Sequence, residues 1–193
     1  MKIVIINYGA GNIQSIRFAI ERLGYEAVLS NDVEEIKSAD KVIFPGVGEA
    51  SSAMKMLKAT GLDTLIPTLT KPVLGICLGM QLMCKYSEEG DTTGLGIFDV
   101  DVKRFENIVK VPQIGWNQIK GLGSKIFNDV KEGAYMYLVH SYYAPLTKET
   151  IATTEYGVQY STALQKANFY GVQFHPEKSS TDGAKILENF LNL

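Results

Sequence analysis

The stretch "KPVLGICLGMQLMCKYSEEG", residues 71–90, decides how the chain is to be read. A strand-like apolar run at 72–76 delivers Cys77 between Gly75 and Gly79, and helix-like spacing follows. A cysteine that only fills space needs no small neighbours on both sides. One presented to a substrate on a tight strand-to-helix turn does, and Gly75-Ile76-Cys77-Leu78-Gly79 follows the nucleophile-elbow logic of G-x-S-x-G. A lone cysteine is more often an inert, buried hydrophobe. Two further features weigh against that reading. The carboxyl end of a parallel strand is where open α/β sheets place their ligands. A thiol at a helix N-terminus also feels the positive end of the dipole, which favours the thiolate. Cys84, further along the same predicted helical segment, has neither feature and reads as packing.

Upstream of this junction the pattern is regular. Apolar runs at 3–6, 27–29, 42–44 and 73–76 alternate with helical spacing at 13–23, 33–39 and 50–59. Near-continuous apolar strands in a βαβαβαβα order predict a parallel sheet with helices on both faces. Downstream, strand-like runs at 100–105, 114–119, 135–140, 151–156, 162–166 and 169–174 have few helices between them. Ala167-Asn168 fits a hairpin turn, so antiparallel additions to the central sheet are expected in this half. Thr181 is the expected N-cap of a closing helix whose stripe is Ile186, Leu187, Phe190 and Leu191. The expected fold is an open, mostly parallel α/β sheet with antiparallel additions, one domain over residues 1–193.

Composition narrows the class. At 193 residues the chain is long enough for a proper core. Apolar residues at 46% and charged residues at 21% are globular values. A net charge of −2 with scattered Lys and Arg favours neither a nucleic acid nor an anionic membrane. The first seven residues are too short an apolar run for a signal peptide, and no run spans a bilayer. The only two cysteines sit seven apart on one predicted segment, a poor disulfide geometry. A reducing, cytoplasmic setting is the expectation. With two histidines and no metal-ligand spacing, no metal is expected; nor is any cofactor.

A nucleophilic cysteine needs a base and a group to orient it. "YGVQFHPEKSS", residues 170–180, offers His175 and Glu177 two apart on an extended segment, where alternate residues face one side. His140 is the rival base and has no carboxylate within two residues. Pro45-Gly46-Val47-Gly48 follows the third strand and can turn backbone N–H groups toward the site; the N–H of Leu78 supplies a second oxyanion donor. "YGAGN", residues 8–12, reads as a tight turn near the site's edge, since G-x-G without a Walker lysine is a weak phosphate signal. These residues alone leave open a free-standing γ-glutamyl or peptide hydrolase, and an interaction subunit in which Cys77 is only packed.

"GICLGMQLM" with "GVQFHPEKS" resembles the class I (triad) glutamine amidotransferases. "NYGAGNIQSI", "FPGVGEA", "VPQIGWNQI", "YLVHSYYA" and "FHPEKSS", in order from residue 7 to 180, are similar to the glutaminase subunits of imidazole glycerol phosphate synthase. Asn7 stands where that family more usually carries Asp. The resemblance implies a flavodoxin-like sheet and a Cys77–His175–Glu177 triad that splits glutamine through a glutamyl thioester. It implies Val47 and Leu78 as oxyanion donors, and Gly48, Gln81, Glu89 and the backbone of Ser141 and Tyr142 around the glutamine head group. The implied partner is a (β/α)₈-barrel cyclase subunit that receives ammonia in histidine biosynthesis, met at Trp116 and Lys178. On residues alone, Trp116 fits partial core burial equally well and Lys178 a solvated surface.

Overall fold

The computed structural model describes residues 1–9, 12–106 and 108–193, so Ala10 and Gly11 of the expected 8–12 turn lie outside the described residues. The first half alternates β1 (Ile3–Ile6), α1 (Ile13–Arg22), β2 (Ala27–Ser30), α2 (Val33–Lys37), β3 (Lys41–Gly46), α3 (Ala50–Thr60) and the short α4 (Leu62–Leu65). It continues into β4 (Val73–Cys77) and α5 (Leu78–Met83). Next come β5 (Cys84–Ser87), β6 (Thr92–Thr93), β7 (Phe98–Arg104), β8 (Gln113–Gln118), β9 (Tyr135–His140) and β10 (Tyr142–Tyr143). The chain ends with β11 (Thr150–Glu155), β12 (Gln159–Lys166), β13 (Phe169–Val172) and α6 (Ser180–Leu191).

Seven strands form one sheet in the order β11-β12-β13-β4-β3-β1-β2. β2, β1, β3, β4 and β13 run parallel, and β12 and β11 extend the sheet antiparallel. The parallel strands β1, β3 and β4 are buried along their whole length, as expected where both faces are covered. One core packs α3, α4 and α5 against one face, around Val4, Phe44, Leu57 and Met80. The other packs α1 and α6 against the opposite face, around Ile20, Ile43, Ile76 and Phe190.

Two details differ from the sequence expectation. β7 joins a four-stranded sheet with β10, β5 and β6, and β8 pairs with β9 in a two-stranded sheet, so neither extends the central sheet. The closing helix starts at Ser180 rather than being capped by Thr181. Ser179, next before it, does not cap through its side chain either, because its hydroxyl is committed elsewhere. It donates to the His175 carbonyl at 2.6 Å and accepts the Tyr137 N–H at 3.0 Å, which ties α6 to β9 and to the loop bearing His175.

Candidate active site

β4 delivers Cys77 at its carboxyl end with φ 54°, ψ −114°, and the chain enters α5 at the next residue. Such a conformation for a non-glycine residue costs on the order of 1–3 kcal/mol and holds only where its surroundings enforce it. The flanking glycines supply room rather than unusual backbone angles. A Cβ on Gly79 would fall onto the carbonyl of Phe44. One on Gly75 would lie 2.8 Å from Met83 Sδ, and one on Gly46 would lie 2.6 Å from Gly79 N. Gly46 is the ladder partner of Cys77 across β3 and β4. α5 therefore rests directly on the sheet, and its six residues stop at Met83, so Cys84 opens β5 instead of continuing the helix. Cys84 is fully buried, its Sγ 3.5 Å from the Met80 carbonyl, and burial pushes its thiol pKa far up. It is packing.

The candidate base, His175, arrives on the neighbouring strand. β13 is parallel to β4 with Val172 opposite Ile76, so the residues that follow advance level with Cys77 and past it. The His175 N–H donates to Tyr137 O at 2.9 Å. Its Nδ1 lies 2.9 Å from Glu177 Oε1, which leaves Nε2 as the nitrogen available to the sulfur. The pairing with Glu177 is not a product of strand pleating, as the i+2 spacing suggested. Beyond His175 the chain turns into a 3₁₀ segment, Pro176–Lys178, and that turn folds the carboxylate back. The Glu177 side chain is wholly buried, and its Oε2 has no hydrogen-bond partner among the described residues. Burial alone depresses the His175 pKa. Hydrogen bonding to Cys77 and Glu177 and their negative charge outweigh it, raising the pKa to about 10.

Cys77 and His175 open into a cleft of about 370 Å³ that Val47, Gly48, Leu78, Gln81, Glu89, Ser141, Tyr142 and Lys178 also line. Leu78 is the first residue of α5, so its N–H has no partner within the helix. Val47 is 40% exposed at the lip, and Gly48 beside it takes φ +92°. Glu89 Oε2 accepts the Ala50 N–H at 2.9 Å, so it holds the start of α3 while facing the cleft; burial raises its pKa. The Ser141 carbonyl accepts the Phe105 N–H at 3.0 Å. The Tyr142 carbonyl accepts Gln81 Nε2 at 2.9 Å and His140 Nδ1 at 2.7 Å, which uses both its lone pairs. Glu177 stands behind His175, and Trp116 lies outside the cleft.

His140 lines the cleft but is tied on both ring nitrogens, since its Nε2 lies 3.2 Å from the Tyr160 hydroxyl. Burial lowers its pKa to about 4, so the ring is neutral and occupied; it is not a free base. The sequence reading passed over Gln173. This residue is fully buried, with Nε2 3.8 Å from Cys77 Sγ and Oε1 2.8 Å from Gln81 Nε2. Its signal was the i, i+2 relation to His175, which puts both residues on one side of an extended segment.

Beside the cleft, the β8–β9 ribbon turns one apolar face outward. Ile114 pairs with Val139, Trp116 with Tyr137 and Gln118 with Tyr135. Ile114, Trp116, Tyr135 and Val139 are exposed at 61%, 51%, 55% and 36%, so Trp116 is a surface residue and not part of the core. Trp116 meets Tyr137 edge-on, with centroids 6.0 Å apart, and Lys178 Nζ stands 5.9 Å from the same Tyr137 ring. Aromatic, tyrosine and lysine thus run in series from the ribbon to the cleft.

Residues 4–193 match the family described as glutamine amidotransferase class-I. The chain is 55% identical to "Imidazole glycerol phosphate synthase subunit HisH" of Bacteroides thetaiotaomicron, with 100% of both chains covered. It is 47% identical to the protein of the same name in Pectobacterium atrosepticum, again over 100% of both. A solved glutamine amidotransferase superposes with a TM-score of 0.76 at 17% identity, covering 98% of this chain and 97% of that one. The structure of PurLQS from Thermotoga maritima gives 0.74 at 15% identity, covering 99% and 97%. At these identities the solved structures speak to the fold alone.

Proposed function

Because this chain belongs to the class-I glutamine amidotransferase family, we propose that Cys77, His175 and Glu177 are the triad with which it hydrolyses glutamine. The chain is the glutaminase subunit of an imidazole glycerol phosphate synthase, serving histidine biosynthesis. Cys77 gives its thiol proton to His175, its Sγ attacks the side-chain amide carbon of glutamine, and charge collects on the amide oxygen. The N–H groups of Leu78 and Val47 are the donors for that charge. His175 passes its proton to the departing nitrogen, the C–N bond breaks, and ammonia leaves a glutamyl thioester on Cys77. Water, giving a proton back to His175, then attacks the thioester and releases glutamate and the thiol. Glu177 holds Nδ1 so that Nε2 faces the sulfur throughout. Gly48, Gln81, Glu89 and the Ser141–Tyr142 backbone hold the head group.

The observation that carries this reading is the imidazole, raised to about 10, between a strained Cys77 and a buried carboxylate 2.9 Å away. A free-standing peptide hydrolase would use the same three groups, but the apolar ribbon at the mouth and the full-length relatives favour a partnered enzyme. The partner in this reading is a (β/α)₈-barrel cyclase subunit. It receives ammonia and forms imidazole glycerol phosphate and an aminoimidazole carboxamide ribonucleotide. Trp116, Tyr137 and Lys178 meet it. The whole chain acts as one domain, and the unpaired Cys77 and Cys84 suit a reducing, cytoplasmic setting. Among the described residues no helix is long and apolar enough to cross a membrane.

The test is co-purification with the barrel cyclase, followed by synthesis with glutamine or with free ammonium. Cys77→Ala is expected to abolish the glutamine-dependent reaction and spare the ammonium-dependent one. Loss of both would make Cys77 structural, and robust hydrolysis of γ-glutamyl peptides by the isolated chain would reject the partnered reading.

A further inference from the structure

The amide orientations behind Cys77 are fixed by a single carbonyl. Tyr142 O can only accept, so the Gln81 side chain must present its nitrogen there, at 2.9 Å. The second hydrogen on that nitrogen faces Gln173 Oε1 at 2.8 Å. Gln173 must then turn its own nitrogen the other way, and it meets Cys77 Sγ at 3.8 Å. The backbone holds this in place: Gln173 follows Val172, the ladder partner of Ile76, and its N–H donates to Thr162 O at 2.8 Å. Gln173 is fully buried and Gln81 nearly so, and no water is needed to complete the chain of donors. With both Nε2 hydrogens spent, Gln81 keeps its Oε1 for a ligand in the cleft that it lines.

We propose that Gln173 is a positioning residue for the nucleophile, donating a hydrogen bond to the Cys77 thiolate and linking that sulfur, through Gln81, to the substrate's head group. The inference rests on the thiol-nucleophile reading above. A donor aimed at a buried sulfur favours the anion over the neutral thiol. The Val139 carbonyl lies 3.9 Å from the same sulfur and would disfavour an anion there, which the Gln173 donor offsets. Gln81 joins the two tasks. A ligand group that donates to its Oε1 polarises the amide and strengthens the donation to Gln173.

Gln173→Met keeps the volume and removes the donor, which separates packing from hydrogen bonding. The readout is alkylation of Cys77 by iodoacetamide as a function of pH, followed by mass spectrometry, with buried Cys84 as an internal control. The pH of half-maximal rate should rise by about one unit, a roughly tenfold slower reaction on the acid side. In complex with the cyclase, glutaminase kcat should fall roughly tenfold with KM changed less. Should Gln173→Met fail to fold, Gln173→Glu has the same shape and replaces the donor with a carboxylate, and the shift should be larger. A folded variant whose alkylation profile overlays the wild type overturns the proposal and leaves the glutaminase reading standing. A wild-type Cys77 that is unreactive, or that glutamine does not protect, overturns both.

Discussion

Gly79 sits so close to Phe44 that the Phe44 carbonyl occupies the place a side chain on Gly79 would need. This approach seats α5 on β3 and lets the chain leave Cys77 at a positive φ. The obstacle is backbone on a buried parallel strand, so it cannot turn aside as a side chain could. Gly79→Ala is expected to destabilise the fold by about 1–3 kcal/mol through overpacking and to misplace Cys77. Gly75→Ala should cost less, because a Cβ there would meet Met83 Sδ at 2.8 Å and the Met80 backbone nitrogen at 2.9 Å, a milder overlap than that of a Gly79 Cβ with the Phe44 carbonyl oxygen. Urea midpoints and alkylation rates of both variants check the order. Equal tolerance would mean that the elbow does not depend on this contact.

The two histidines titrate on opposite sides of their ordinary value. His175 is raised to about 10, where the partners Cys77 and Glu177 overcome burial, and His140 is lowered to about 4, mainly by burial. Between pH 5 and 9 neither imidazole should change charge by NMR. The unfolded chain takes up a proton at each histidine near pH 6.5. From about pH 4 to 6.5 the unfolded state therefore binds the proton that folded His140 refuses, and stability rises with pH. From 6.5 toward about 10 folded His175 keeps a proton that the unfolded state has lost, and this contribution falls away. Their combined contribution is largest near neutrality. An imidazole signal moving with a midpoint near 6.5 would contradict the arrangement at that residue.

Much of this was legible because it is periodic or local. The apolar runs of β1, β3 and β4 are buried on both faces, so their pattern needs no partner to be read. Cys77, Gly75 and Gly79 form one short motif, and His175 and Glu177 another. What escaped depends on contacts between distant segments. Whether β7 and β8 extend the central sheet or form small sheets of their own is decided by pairing with β5, β9 and β10; β5 and β10 are too short to carry a period, and the run at 135–140 does not reveal that its partner is β8. Thr181 had the chemistry of a cap, yet the position went to Ser179, whose hydroxyl binds the His175 loop and β9. The role of Gln173 is visible only once Gln81 and Tyr142 stand beside it.

Glu177→Gln separates charge from shape at the proposed triad. The amide oxygen can still accept from His175 Nδ1, where the distance is now 2.9 Å. The new NH₂ takes the place of Oε2, which has no partner among the described residues, so a buried donor is left unpaired at a cost of about 1–3 kcal/mol. Loss of the negative charge also weakens the hold of His175 on its proton, and its pKa should move down from about 10. Glutaminase kcat in the complex is expected to fall roughly tenfold or more with KM little changed, since the group acts on the base rather than on bound glutamine. Ammonium-dependent synthesis should persist. An unaltered kcat would remove the carboxylate from the mechanism.

Trp116 tests the proposed docking face without touching the chemistry. It is 51% exposed and rests edge-on against Tyr137, so truncation opens no cavity in either core. Trp116→Ala should leave the unfolding midpoint of the isolated chain within about 0.5 kcal/mol of the wild type. A large aromatic anchor at the centre of an interface is worth about 2 kcal/mol, so affinity for the cyclase should drop roughly 30-fold. Calorimetric titration of the two subunits measures this directly. Tyr137 links Trp116 to the loop bearing His175, through its carbonyl on the His175 N–H and its ring against Lys178. Glutaminase activity at saturating cyclase is the second readout. If Trp116 serves only as an anchor, saturation restores the wild-type rate. A deficit that survives saturation would mean that the contact also sets the position of the base. Unchanged affinity would move the docking face away from this ribbon altogether.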